Sequence, residues 1–261
     1  MSFRNIPDLA IRQAMRFIAY VLAAGRLETK ITGTHHIPLR GPVILVARHY
    51  HHLFDGVALY KVVPRQIHIL VTLDWAQNRI IRRFMEWANH QARWPVVLRP
   101  DALSAKANEV KSHKNIGVFT AADIHRYQRK AMRESIDLLL EGKALVIFPE
   151  GYPNIDPNYT PKKTPEDFLS FKTGFAAIAV AAEKRLGDKI PIIPVGLSYQ
   201  RNHCWIGQIN FGRAVFTADF ASRSLLVKSL EEQVVKLSGL QLGQEARGPG
   251  AQRDSAKRSS I

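Results

Sequence analysis

The sequence predicts an α/β domain: one mixed, largely parallel sheet flanked by helices. Three observations carry this. Short continuous apolar runs such as Val43–Ala47 and Ala144–Phe148 have the length and composition of strands buried on both faces. Longer stretches between them place apolar residues at helical spacing. Strand and helix signals then alternate along the chain, the order that builds parallel sheets. At 261 residues there is ample material for one such domain with a sizeable core.

The elements follow in order. Pro7-Asp8 starts a basic amphipathic helix over Asp8–Ala24, ended near Gly25; it either lies in a membrane interface or packs on the domain as a first helix. Val43–Ala47, after Gly41-Pro42, is the first strand. Asp55–Val63 is a helix stopped by Pro64, and Ile67–Val71 a second strand. Asp74 caps a helix reaching Asn89, carrying Trp75, Ile80, Ile81, Phe84 and Trp87 among Arg79, Arg82 and Arg83. Trp interleaved with Arg suits a membrane interface, since both side chains bridge apolar and charged layers. A core-facing helix reads equally well. Trp94–Leu98 is a third strand. Residues 101–120 are polar and weakly patterned, an excursion. Ala122–Glu141 is a long helix closed by Gly142, and Ala144–Phe148 the fourth strand. Pro153–Pro165 holds four prolines and must be a loop. Thr173–Leu186 is an Ala-rich helix. Ile190–Leu197 bears Pro191 and Pro194, which predicts a short or edge strand. Gln208–Phe211 and Ala214–Thr217 are later short strands. Leu226, Leu230, Val234 and Leu237 mark a last helix. The domain organisation is thus a helix over 1–30, a domain over 31–240, and a disordered basic tail over 241–261.

The formal net charge of +15 and pI of about 10.1 favour anionic partners: phosphorylated substrates, anionic lipid headgroups or nucleic acid. No nucleic-acid module accompanies the charge, which argues against the last. A lone cysteine, Cys204, allows neither an internal disulfide nor a Cys-based zinc site. No apolar run approaches the ~20 residues that span a bilayer. There is no nucleotide-type Gly-rich loop and no Gly-x-Ser-x-Gly elbow.

Two strand ends carry the chemistry. Arg48-His49-Tyr50-His51-His52-Leu53-Phe54-Asp55-Gly56 follows the first strand, and Phe148-Pro149-Glu150-Gly151 the fourth. In open α/β sheets, sites gather at such ends. A histidine is the natural base for a hydroxyl proton at neutral pH, and a carboxylate on its other nitrogen fixes the tautomer. His49 and Asp55 fit those roles. A metal reading of His49, His51, His52 and Asp55 matches no ligand signature. Arg99, with Arg126 and Lys172 as further candidates, can hold a phosphate through charge-assisted bonds.

These motifs resemble the glycerolipid acyltransferases, whose best-known members act on lysophosphatidate. The likeness runs over residues 31–217. Thr32-Gly33-Thr34-His35-His36-Ile37-Pro38 resembles the family's lead-in to the first strand, and Val43 to His49 the strand to the catalytic His. Arg99 after Pro95-Val96-Val97-Leu98 corresponds to a second-block arginine, with Arg126 as runner-up. Phe148-Pro149-Glu150-Gly151 and Phe171-Lys172-Thr173-Gly174 match the third block and its follower. Ile193-Pro194-Val195 matches the fourth, and Asn210-Phe211-Gly212 a later Phe-Gly.

The first block departs from the pattern of His, four residues, Asp. His49 stands one residue too far from Asp55, His51 is one too near, and Arg48 occupies the usual Asn position. A one-residue insertion reconciles them, with His49 as base and His51 or His52 as alternatives. The usual Thr-Arg-Ser after the third block is here Tyr152-Pro153-Asn154.

The resemblance implies transfer of an acyl group from acyl-CoA or acyl carrier protein to a lysophosphatidate-type acceptor, most directly 1-acylglycerol 3-phosphate, with another lysophospholipid, glycerol 3-phosphate or an alcohol as alternatives. It implies no acyl-enzyme, metal or resident cofactor. His49 and Asp55 are then catalytic, while Arg99, Glu150, Gly151 and Lys172 bind substrate, with backbone donors near Gly151 facing the oxyanion. With the charge and the amphipathic helices, it places the chain on an anionic membrane surface at the cytoplasmic face. Asp55→Ala is expected to remove turnover and spare the fold.

Overall fold

A computed structural model of the chain describes residues 5–74, 76, 78–100, 120–157 and 159–240. Most of residues 101–120, the tail over 241–261 and Trp75 lie outside these. Helix α1 (Asn5–Ala23) leads into strand β1 (Leu27–Thr32). Then come β2 (Val43–Ala47), α2 (Phe54–Val62), β3 (Ile67–Ile69), β4 (Val71–Thr72), α3 (Arg79–Ala92) and β5 (Val96–Val97). After the undescribed stretch follow α4 (Ala121–Leu140), β6 (Ala144–Ile147), α5 (Gly174–Leu186), β7 (Ile192–Arg201), β8 (Trp205–Phe211) and α6 (Arg223–Leu237).

The main sheet runs β1-β8-β7-β2-β6-β3. All pairings are parallel except β7 with β8, so the sheet is mixed and largely parallel. Strand β2 shows how sequence builds it. All five of its residues are fully buried, and the pleat sends them to opposite faces. Val43, Leu45 and Ala47 join the core beneath α1 and α2, while Ile44 and Val46 join the core beneath α4, α5 and α6. β2 therefore lies at the centre of the molecule, and its C-terminal end is held from both sides.

Several elements differ from the sequence reading. The Asp74 cap fails: α3 starts four residues later with Asn78 as its cap, whose Oδ1 accepts from the Ile80 and Ile81 amides. Asp74 instead accepts from Arg99. The run Ile67–Val71 splits at Leu70 into β3 in the main sheet and β4, which pairs only with β5. β7 is no short edge strand but ten residues long, lying between β8 and β2. Pro191 lies just before the strand, and Pro194 fits because the opposing chain leaves the ladder there. Gly212 donates to the Pro194 carbonyl, Ile192 and Val215 exchange the next pair of bonds, and residues 213–214 bulge between them. Pro194 is therefore never asked for an amide proton. Ala214–Thr217 forms no strand beyond that single bridge. β1 escaped the sequence reading because Leu27 alone is buried along it.

Helix α1 has two characters. Ala19 and Ala23 are buried in the core, and the Arg16 guanidinium donates to the Val63 carbonyl at 2.5 Å. Phe17, Tyr20 and Val21 face outward and exposed. α3 exposes Ile80, Ile81, Phe84 and Trp87 in the same way. Among the described residues, no helix is long and apolar enough to cross a membrane.

Candidate active site

Ladder bonding at β2 ends when the Arg48 amide donates to Val195. The chain then turns sharply, and Asp55 organises the turn from the first turn of α2. Its Oδ2 accepts from His49 Nδ1 at 2.8 Å and from the Tyr50 and His51 amides at 2.7 and 3.0 Å. A carboxylate can only accept here, so His49 carries a proton on Nδ1, and in the neutral ring Nε2 is the acceptor, the arrangement of a general base. Asp55 is wholly buried; the His49 side chain is 17 % exposed and stacks on Phe148 at 4.4 Å. The spacing anomaly is thus absorbed without losing the pair. The extra residue sits in the turn, where the Ile155 amide donates to Tyr50 and the His52 amide donates to Ile155.

The three histidines do different jobs. His51 points away from the cavity: its Nδ1 accepts from the Leu53 and Phe54 amides at 3.2 and 3.3 Å and caps α2. Burial, aided by the neighbouring His52, holds its pKa down to about 4, so it stays neutral. His52 donates from Nδ1 to the Ile155 carbonyl at 3.2 Å and sits at the cavity edge. Only the ring of His49 is bonded to Asp55. Among the described residues, no group of three or more His, Cys, Asp or Glu side chains is arranged to hold a metal.

His49 opens onto a cavity of about 920 Å³, within the usual size for ligand sites and lined chiefly by apolar side chains. It runs between α1, α3, α4 and α5, past Ile18, Leu22, Met85, Met132, Phe175 and Ile178. Two cations stand on its wall. Arg99 donates from Nε to Asp74 Oδ2 at 2.7 Å and from Nη1 to the Gly151 carbonyl at 3.1 Å, and lies over the Tyr152 ring at 4.0 Å. Asp74 and Tyr152 thereby fix the guanidinium plane. Lys172 approaches the same ring, its Nζ 5.6 Å from the centroid. Arg126 belongs elsewhere: it is 68 % exposed on α4 and bonded to Asp123 in its own helix.

Two groups of the third-block loop are engaged within the protein. Gly151 has φ +78, the left-handed region that favours glycine, and a Cβ there would press on Lys172 Nζ at 3.2 Å. Its amide donates to the Phe148 carbonyl at 3.0 Å and is therefore committed within the loop. Glu150 is likewise spent on protein groups. Oε1 accepts from the His49 amide at 2.8 Å, and Oε2 from the Leu169 amide at 2.9 Å and Lys162 Nζ at 2.6 Å. Both side chains of that ion pair are wholly buried. These partners are all protein groups, and Glu150 does not line the cavity.

Sequence reasoning missed Lys162, Asp74 and Asn154. Lys162 lies in the four-proline loop, where neither periodicity nor motif marks it. Asp74 was read as a helix cap. Arg48 is buried and ties the same loop to the sheet, donating to the carbonyls of Leu197 and Pro165 at 3.3 and 2.5 Å.

A family model described as acyltransferase matches residues 28–198 of the chain. The chain belongs to the acyltransferase family. This acyltransferase is similar in fold to the crystal structure of PlsC, the 1-acyl-sn-glycerophosphate (LPA) acyltransferase of Thermotoga maritima. The two share a TM-score of 0.58 and 18 % identity over 92 % of this chain and 83 % of that one. A search of curated proteins finds no match. The fold class expected from the sequence, and its resemblance to glycerolipid acyltransferases, are both borne out.

Proposed function

We propose that this acyltransferase moves a fatty acyl group from acyl-CoA or acyl carrier protein to the free hydroxyl of 1-acylglycerol 3-phosphate, a step of phospholipid biosynthesis. One observation carries the reading: the His49–Asp55 pair opens onto a large apolar cavity with Arg99 and Lys172 on its wall. The apolar walls suit an acyl chain, and the cations suit a phosphate.

In this mechanism His49 Nε2 removes the acceptor hydroxyl proton, and the oxygen attacks the thioester carbonyl. The tetrahedral intermediate collapses, the acyl–oxygen bond remains, and the thiolate leaves with the proton from His49. Asp55 stabilises the imidazolium formed on the way. No acyl-enzyme, metal or cofactor takes part. Arg99, held by Asp74 and Tyr152, faces the acceptor phosphate together with Lys172. The enzyme works on an anionic membrane surface at the cytoplasmic face. Supporting this are the outward apolar residues of α1 and α3, helices that also contribute Ile18, Leu22 and Met85 to the cavity, and the positive charge.

The test is transfer from labelled acyl-CoA, or from acyl carrier protein, to 1-acylglycerol 3-phosphate in vesicles, with wild type and His49→Ala. Product from wild type, reduced about 10²–10⁴-fold in the variant, is expected for loss of a general base. Equal product from both would remove His49 from the role. Lipid binding without turnover with either donor would mean a scaffold that no longer catalyses.

A further inference from the structure

We infer that Lys162 is a positioning residue for the reaction: with Glu150 it clamps both sides of the His49 main chain and so aims the base. This rests on His49 being the base, as proposed above. Lys162 Nζ donates to the His49 carbonyl at 2.8 Å, to Asn154 Oδ1 at 3.1 Å and to Glu150 Oε2 at 2.6 Å. Glu150 Oε1 takes the His49 amide. The N–H and C=O of His49 are thus held by the two members of one ion pair.

The location explains the need. His49 is the first residue past the last ladder bond of β2, so neither of its main-chain groups has a strand partner. Buried groups in that position require partners from elsewhere. An uncharged pair would satisfy them at lower cost, because desolvating two charges consumes most of what their attraction returns. Burial does push the Lys162 ammonium below the ordinary lysine value, while the Glu150 charge pulls it back. What the ion pair adds is fixed geometry: Glu150 stands at the end of β6, and Lys162 is delivered by a loop folded on itself. Asn154 Nδ2 donates to the carbonyls of Thr164 and Asp167 at 2.8 and 2.9 Å, and Asp167 accepts from the Lys163 and Thr164 amides at 2.6 and 3.1 Å. Arg48 then ties the loop to β7. The base is held through its ring by Asp55 and through its backbone by Lys162 and Glu150.

The experiment uses full-length protein with ¹⁵N-labelled histidine. The His49 Nδ1 proton resonance is assigned by its loss in His49→Gln. Lys162→Met is expected to shift or broaden that resonance and to lower kcat roughly 10²-fold, the cost of an ångström-scale misplacement, while KM for donor and acceptor stays within about threefold. An unchanged resonance together with kcat within about twofold of wild type would overturn the clamp. If Lys162→Met does not fold, the near-isosteric Glu150→Gln decides by the same two readouts and the same limits. The resonance needs no turnover. A shifted resonance in a protein whose wild type transfers no acyl group would therefore support the clamp while defeating the proposed function.

Discussion

Two buried carboxylates stand at the ends of neighbouring parallel paths, Asp55 beyond β2 and Glu150 beyond β6, and they do different work. Asp55 spends one oxygen on a ring that opens onto the cavity. Glu150 spends both on the protein: a buried lysine and two amides. The difference teaches that a carboxylate in a motif is not thereby a ligand group. What separates them is which part of His49 each one holds. Asp55 holds the ring, which opens onto the cavity; Glu150 holds the main-chain amide, inside the fold.

The largest expected effect breaks the Asp55 side. Asp55→Asn, which keeps the shape, should lower kcat about 10²–10⁴-fold, because an amide no longer fixes the tautomer or stabilises the imidazolium. Steady-state transfer measurements check this; a loss below tenfold would undo the assignment. Asp55→Ala, which the sequence recommended as a clean probe, is not one. It orphans the buried Tyr50 and His51 amides as well, at roughly 1–3 kcal/mol each, so lost turnover is expected together with a lower Tm.

A second expectation sharpens the contrast between groups that face the cavity and groups that do not. Arg99→Gln keeps a donor toward Asp74 but loses the charge. It should raise the acceptor KM about tenfold or more, given ~1.5–3 kcal/mol for a hydrogen bond to a charged group, and leave the donor KM unchanged. Arg126→Gln, outside the cavity, should leave both within twofold, roughly the limit for a surface pair. Equal effects from the two variants would return the second-block arginine to open choice.

Next comes the outer wall. Phe84 and Trp87 on α3 are 60 % and 58 % exposed, neighbouring rings 5.9 Å apart. If this face enters the interface, Phe84→Ser with Trp87→Ser should weaken binding to anionic vesicles at least about tenfold, from the apolar area no longer buried. Leu225→Ser, exposed on α6, is the control and should bind like wild type. Sedimentation with vesicles gives the ratio.

How much of this was legible follows from what kind of signal each feature leaves. The strands β2 and β6 were plain because burial on both faces writes a continuous apolar run. His49 and Asp55 were found because their chemistry is specific, though the spacing left three histidines open and only the 2.8 Å bond separated them. β7 was misjudged because a proline rule applied to the strand knew nothing of the bulge opposite Pro194. Asp74 was given to the nearest helix because capping is local, whereas its partner Arg99 lies 25 residues on. Lys162 left no trace at all: its meaning comes from its bond to the His49 carbonyl, over a hundred positions away, and no local pattern encodes such a contact.

The smallest expected effect separates His51 from His49 in stability rather than rate. The folded pKa of His51 is lowered from 6.5 to about 4, chiefly by burial, and a charged ring there would also face the positive end of α2. The native state therefore binds fewer protons than the unfolded chain between those values. Stability from this group is fully present above pH 6.5 and falls as the pH drops toward 4. At pH 6 the loss amounts to about 1 kcal/mol. His51→Asn supplies another cap acceptor that does not titrate in this range. Denaturant midpoints at pH 7.5 and pH 6 should then differ less in the variant than in wild type, with transfer activity at pH 7.5 retained. If the variant loses activity on the scale of Asp55→Asn while its pH dependence stays that of wild type, then His51, not His49, is the base, and the cap drawn at α2 is not its function.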